Sequence, residues 1–186
     1  LRMFRDTVLA DPDTSGWNVS NVTDMSQMFR GADIANPNTS NWNVSSVEDM
    51  SYMFQATDAA NPDVSDWDTS NVENMEAMFN SAEAATLTEN GGTLNWDVSN
   101  VEDMRDMFNG CRAFNQTLNK WKTSNVTNMR NMFNGCIVFD KPLNSWNVAN
   151  VTNMDGMFSG CFVFNKTLNN WNVSKVTSME NMFNGD

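Results

Sequence analysis

The side chains that could do chemistry in this chain are carboxylates, amides, methionine thioethers and three thiols, because it contains no histidine. They are spread out at regular intervals. One residue after each of seven tryptophans comes the row Asn18, Asn43, Asp68, Asp97, Lys122, Asn147 and Asn172. Seven residues after each Trp comes a second row, Asp24, Asp49, Asn74, Asp103, Asn128, Asn153 and Ser178. Such rows can stack as amide ladders, hold Ca²⁺ weakly, or face water. A built calcium site wants several carboxylates converging from a tight glycine-containing loop, and no such loop is evident. Weak Ca²⁺ binding is therefore the most that the rows suggest, with no resident cofactor. The first row is the candidate binding surface.

The other groups point away from catalysis. Methionines recur as Met-x-x-Met, a spacing whose thioethers suit Cu(I). Here they fall in phase with Val and Phe, where a flexible thioether serves as core filler. Cys111, Cys136 and Cys161 stand 25 residues apart and read as free buried thiols, because parallel side-chain directions on neighbouring turns disfavour a disulfide. With no histidine they do not make a four-ligand zinc site. There is no glycine-rich phosphate loop, and every carboxylate pair is periodic. No catalytic, cofactor-binding or metal-binding residue is assigned, and the chain is not expected to be an enzyme. Sequons such as Asn18-Val19-Ser20 follow from the repeat phrase and say little about glycosylation.

These residues must be positioned by one unit copied along the chain. Trp17, Trp42, Trp67, Trp96, Trp121, Trp146 and Trp171 are 25 residues apart, with one interval of 29. A period of roughly 20–50 residues marks a repeat architecture. Counting each Trp as zero, Val stands at +5, Met at +8 and Met-Phe at +11 and +12 in all seven units. Those intervals fit one stripe of a helix. Ser at +3 with Glu at +6 (Ser45/Glu48, Ser70/Glu73, Ser99/Glu102) has the form of a capping box. Gly at +14 suits a left-handed residue after a helix end. The segment around each Trp reads as a short strand, copies pairing in parallel about 4.8 Å apart. The expected fold is thus α/β: a leucine-rich-repeat-like solenoid with one short helix and one short parallel strand per 25-residue turn, seven to eight turns in all, the tryptophans forming its spine.

Residues 1–186 form a single array in two dialects. Residues 1–82 carry Ala followed by Asp/Asn-Pro at one corner (Ala10, Ala35, Ala60), whereas residues 96–186 carry Gly-Cys-x-x-Phe (Cys111/Phe114, Cys136/Phe139, Cys161/Phe164). A longer inter-repeat loop, 83–95, joins them. Both termini fall inside a unit, so the chain is expected to be a piece of a longer protein whose caps and targeting signals lie elsewhere. No run approaches the roughly 18 apolar residues of a membrane span.

Net charge is −12, and it is unevenly placed. Residues 1–95 hold 15 acids and three bases, residues 96–186 eight of each. Nucleic-acid affinity comes largely from Lys and Arg on phosphates, so no nucleic-acid partner is expected.

The phrase Trp-Asn-Val-Ser-Asn-Val-Thr-Asp-Met-x-x-Met-Phe, with Gly-Cys-x-x-Phe-Asn-x-x-Leu in later units, resembles the roughly 25-residue repeat of BspA-like leucine-rich-repeat bacterial surface proteins. The likeness covers essentially the whole chain. It implies a secreted protein at the cell surface, often a lipoprotein or wall-anchored adhesin, that binds a protein or glycan, and it brings no catalytic residues. The expected function is a non-catalytic extracellular scaffold for adhesion. The alternative is a structural subunit of a surface layer, sheath or fibre, whose partners are copies of itself.

Overall fold

The computed structural model describes residues 2–87 and 93–185. Each unit makes one turn of chain that lies on the turn before it. The tryptophans from Trp17 to Trp146 stack with ring centroids 6.0–6.3 Å apart and planes within 9° of parallel. The phenylalanines at +12, from Phe4 to Phe183, form a second column at 5.4–6.0 Å. These are offset-stacking distances, and stacking continues unbroken across the 29-residue interval.

The α/β expectation is overturned: among the described residues there is no helix and no strand. In the segment expected to be helical, Met25, Gln27, Phe29 and Gly31 donate their N–H groups to carbonyls of the following unit, Asp49, Ser51, Met53 and Gln55, at 2.8–2.9 Å. Met28 and Arg30, which lie between them, and Ala32, which follows, donate three residues back, to Met25, Gln27 and Phe29. An α-helix would instead bond each N–H four residues back within the segment. What forms is a run of overlapping β-turns whose alternate amides reach the neighbouring unit.

The dihedral angles give the reason. Position +10 is left-handed in every unit, with φ between 50° and 60° at Gln27, Tyr52, Ala77, Asp106, Asn131, Gly156 and Asn181. Position +14 is left-handed too, from Gly31 to Gly185, and there Ala56 and Ser81 adopt φ of 54° and 59° without being glycine. A helix of L-residues does not accommodate such angles. A two- or three-turn helix is marginal by itself, so the hydrogen bonds offered by neighbouring units prevail. The glycines at +14 are left-handed as expected, but they close a turn in a coil and do not end a helix.

The strands expected around each Trp do not form among the described residues; the single-residue bridges lie mostly at +7, inside the segment expected to be helical. Parallel bridges link Asp24 to Asp49 and run on through Asn74, Asp103, Asn128 and Asn153 to Ser178, with one more between Thr93 and Thr117. The parallel, unit-on-unit register is present; its extent is limited by turns on both sides. In the unit from Trp96, three-residue-back bonds close turns at Val101, Met107, Asn109, Cys111, Phe114 and Trp121, each 3.0–3.3 Å long. Little chain remains to be extended between them.

The inward-facing set matches the sequence pattern although the element does not. Val47, Val72, Val101, Val126 and Val151 are buried, as are the +8 methionines from Met25 to Met154 and the +12 phenylalanines from Phe29 to Phe158. Trp42 to Trp146 are buried, and each donates its indole N–H to a carbonyl just before the preceding unit's Trp, two residues before it for Leu94 and three for the others, as Trp146 does to the Leu118 carbonyl at 2.9 Å. The dialects differ in what fills one corner. Phe114 and Phe139 stack at 5.8 Å there, where the earlier units bury Ala35 and Ala60. Of the longer loop expected at 83–95, residues 88–92, with Gly91-Gly92, lie outside the described residues. No helix among the described residues is long and apolar enough to cross a membrane.

Candidate functional site

All seven members of the first row, Asn18, Asn43, Asp68, Asp97, Lys122, Asn147 and Asn172, are exposed. Six have a second task. The side-chain oxygens of Asn18, Asn43, Asp68, Asp97, Asn147 and Asn172 each accept the N–H two residues on, at 3.0–3.1 Å. This Asx turn opens the tight turn that ends at the buried +5 Val. The Ser99 hydroxyl and amide hold the Asp97 carboxyl below the usual carboxylate range. The row is therefore on the surface, with one oxygen of each Asn or Asp committed to the backbone. Lys122 has no such bond and lies in a shallow groove of about 180 Å³ with Lys120, Asn95 and Asp97.

The second row works the same way one turn later. Asp24, Asp49, Asn74, Asp103, Asn128 and Asn153 each accept the amide two residues on, at 2.7–3.1 Å. Of the three acids in that row, Asp103 pairs with Arg105; burial pushes its carboxyl up, against the opposing pull of the Arg105 amide and guanidinium. Among the described residues no three Asp, Glu or Cys side chains converge as a metal site would need.

The thiols are closed to chemistry. Cys111, Cys136 and Cys161 are buried, and none is in a disulfide. Each S–H donates to the carbonyl of a phenylalanine in the preceding unit, Phe79, Phe108 and Phe133, at 2.9–3.0 Å. Burial pushes the Cys111 and Cys136 thiols well above their usual range, so the nucleophilic thiolate is disfavoured.

The surface that sequence reasoning missed is the tip formed by positions +9, +10 and +13. On the first units it carries a linked set: the Arg30 guanidinium lies 5.7 Å from the Tyr52 ring centroid, the Tyr52 hydroxyl donates to Glu76, and Arg105 pairs with Glu76 at 2.7 Å and with Asp103 at 3.2 Å. Burial, with Glu76 beside it, pushes Tyr52 up to about 12. On the last units the same face opens into a polar cup of about 350 Å³ walled by Arg130, Asp155 and Glu180. Its floor is Gly156, where a Cβ would come within 2.3 Å of the Asn131 Oδ1. Asp155 is oriented there by the Ser178 hydroxyl and the Glu180 amide. A signal was available: the +9 residue changes from Ser26 and Ser51 to Glu76, Arg105, Arg130, Asp155 and Glu180, while +5, +8, +11 and +12 never change.

This arrangement of repeated turns, buried aromatic columns and unit-specific tips has a counterpart among known sequence families. Residues 1–90 and 84–186 each match the family described as Mycoplasma protein of unknown function, DUF285. The chain belongs to that family. The two DUF285 matches overlap at 84–90, inside the segment where the dialects change. No curated protein matches the chain, and no solved structure does.

Proposed function

We propose that this DUF285 chain is a non-catalytic scaffold at the outer face of a cell, and that it engages a protein or glycan partner through its polar turn tips. The observation that carries the reading is the contrast within each unit. The inward-facing Trp and the residues at +5, +8, +11 and +12 are the same in all seven units, whereas the +9 and +10 side chains, most of them half-buried and Arg130, Glu180 and Asn181 exposed, differ in charge and size from unit to unit. A stacked array of this kind offers an extended surface whose parts each contact their neighbours, and variation limited to its tips can encode recognition without disturbing the core. The polar cup of Arg130, Asp155 and Glu180 has the hydrogen-bonding groups that a sugar or a polar peptide requires. The likeness of the repeat phrase to BspA-like surface proteins supports a location outside the cell.

The test is binding of the full chain to arrays of glycans and of cell-envelope and extracellular proteins. Arg130→Ala and Glu180→Ala should weaken the strongest interaction by about tenfold or more while leaving the tryptophan near-UV signal intact. Binding that is indifferent to every tip substitution would sink the reading, as would filament formation with no affinity for any partner. The latter outcome would favour the structural-subunit alternative.

A further inference from the structure

Every corner of the coil is made of turn residues, and turn tips are ordinarily Gly, Pro, Asn, Asp or Ser. One tip departs from this at all seven of its occurrences, the first of which precedes Trp17. The turn closed by the N–H of residue +18 on the carbonyl of +15, as in Phe139 on Cys136 at 3.0 Å, has at its +17 tip Leu9, Ile34, Ala59, Ala84, Ala113, Val138 and Val163. No polar residue interrupts the row. Leu9 is 83% exposed, and Ile34 and Val138, which have turns of chain on both sides, are still 46% and 41% exposed. The row is held in line, since the N–H groups of Ala59, Ala84 and Ala113 each donate to the +16 carbonyl of the preceding unit. The surface thus has a continuous apolar ridge that the fold does not use.

Charge says what covers it. Beside the ridge, position +16 reads Asp33, Asp58 and Glu83, then Arg112, Ile137 and Phe162. The first half of the chain carries the whole net charge of −12, and eight of the eleven bases lie in the second. Two copies set parallel would place acid on acid. Set antiparallel, each acidic half meets the other copy's neutral half. A two-fold axis between Ala84 and Ala113 places Glu83 opposite Arg112 twice, the small Ala59 opposite Val138, and Ile34 opposite Val163, so that large residues face small ones or other apolar ones. We propose that the ridge is the seam of an antiparallel, isologous pairing of two copies of this chain. The pairing uses a different face from the polar tips and does not rest on their function. Six overlapping turns at about 5 Å each and a ridge about 10 Å wide bury roughly 300 Å² per copy, against about 800 Å² in a standard stable interface. The pair is therefore weak and favoured by high local concentration.

Single-cysteine variants test it, since the native thiols are buried. Under mild oxidation at high protein concentration, a mixture of Ala59→Cys and Val138→Cys chains should form the mixed disulfide at least fivefold faster than either variant alone forms its own dimer. Glu83→Arg should lower that rate several-fold, and adding Arg112→Glu in the same chain should restore it. Faster homodimerisation of Ala59→Cys would mean parallel pairing and overturn the proposal. Equal rates for all combinations, or no cross-linking at all, would overturn it too, leaving the ridge to a different partner. Both variants lie at exposed turn tips, and an unchanged tryptophan signal checks that each remains folded.

Discussion

At the scale of single residues, the exposed Asn and Asp side chains serve the backbone as much as the surface. Asp97 and Asp103 separate the two roles. Asp97 opens a turn by accepting the Ser99 amide, so Asp97→Ala should cost about 1 kcal/mol, the size of a lost capping bond, whereas Asp97→Asn should be nearly neutral. Its lowered carboxyl gives a sign: the contribution is present above about pH 4 and is lost as pH falls through the lowered folded value. Asp103 runs the other way. Burial raises it, so its contribution is greatest below about pH 4 and declines as pH rises through the raised folded value. Asp103→Asn keeps an oxygen for the Arg105 amide and removes a part-buried charge, and Asn already occupies that row at 74, 128 and 153. It should leave stability at pH 7 within about 1 kcal/mol of the parent, because the half-exposed pair with Arg105 contributes little. Urea unfolding at pH 3.5, 5 and 7 checks both residues. A loss well above 1 kcal/mol for Asp103→Asn would mean that the ion pair dominates.

At the scale of the element, inward and outward faces were legible and the backbone was not. The 3-3-1 spacing of Val, Met, Met and Phe identifies which side chains are buried, but eight residues are too few to separate a helical stripe from consecutive turns by periodicity. Capping-like Ser/Glu pairs and +14 glycines fitted a helix as well as a turn. The discriminating clue was at +10, where Asp106, Asn131, Gly156 and Asn181 are residue types that tolerate left-handed angles. The candidate surface row was half legible: the exposure of the +1 residues followed from their polarity, but their bond to the +3 amide could not be seen without the turn. Gln27 turns this into a measurement. It sits at φ 58°, and its Oε1 is buried without a partner. Gln27→Gly should therefore stabilise the protein by about 1 kcal/mol, the cost of a left-handed angle in a residue bearing a Cβ, whereas glycine inside a helix would destabilise it by about the same amount. Gly135→Ala, at φ 72° and with its new Cβ 3.6 Å from the Gly110 Cα, should lose stability. Far-UV circular dichroism of the parent should lack helical minima. Strong ones, or the opposite sign for Gln27→Gly, would restore the helix.

At the scale of the whole molecule, the fold is a set of ladders that share one period. The amides at +8, +10, +12 and +14, the +7 bridges, the indole N–H groups and the aromatic columns all join one unit to the next. Side chains follow the same beat: Asn71, Asn100, Asn125 and Asn150 each donate to the +3 carbonyl of the preceding unit at 2.7–2.8 Å. Stability should then behave as a sum of unit and neighbour terms, and the length of a deletion should matter more than its content. Removing 121–145 joins Lys120 to Trp146 and sets the unit of Trp96 against that of Trp146 with every ladder in register. Trp96 and Trp146 would stack, and the Trp146 indole, standing where Trp121 stood, would meet the Leu94 carbonyl. Removing 121–144 leaves one residue too many, so every ladder beyond the junction must either slip or open a bulge, and a slip by one carries Met and Phe toward water. The first variant should fold with a sharp urea transition at a modestly lower midpoint and a parent-like near-UV signal per tryptophan. The second should lose several times more stability. Equal tolerance of the two deletions would mean that the period is not what holds the turns together.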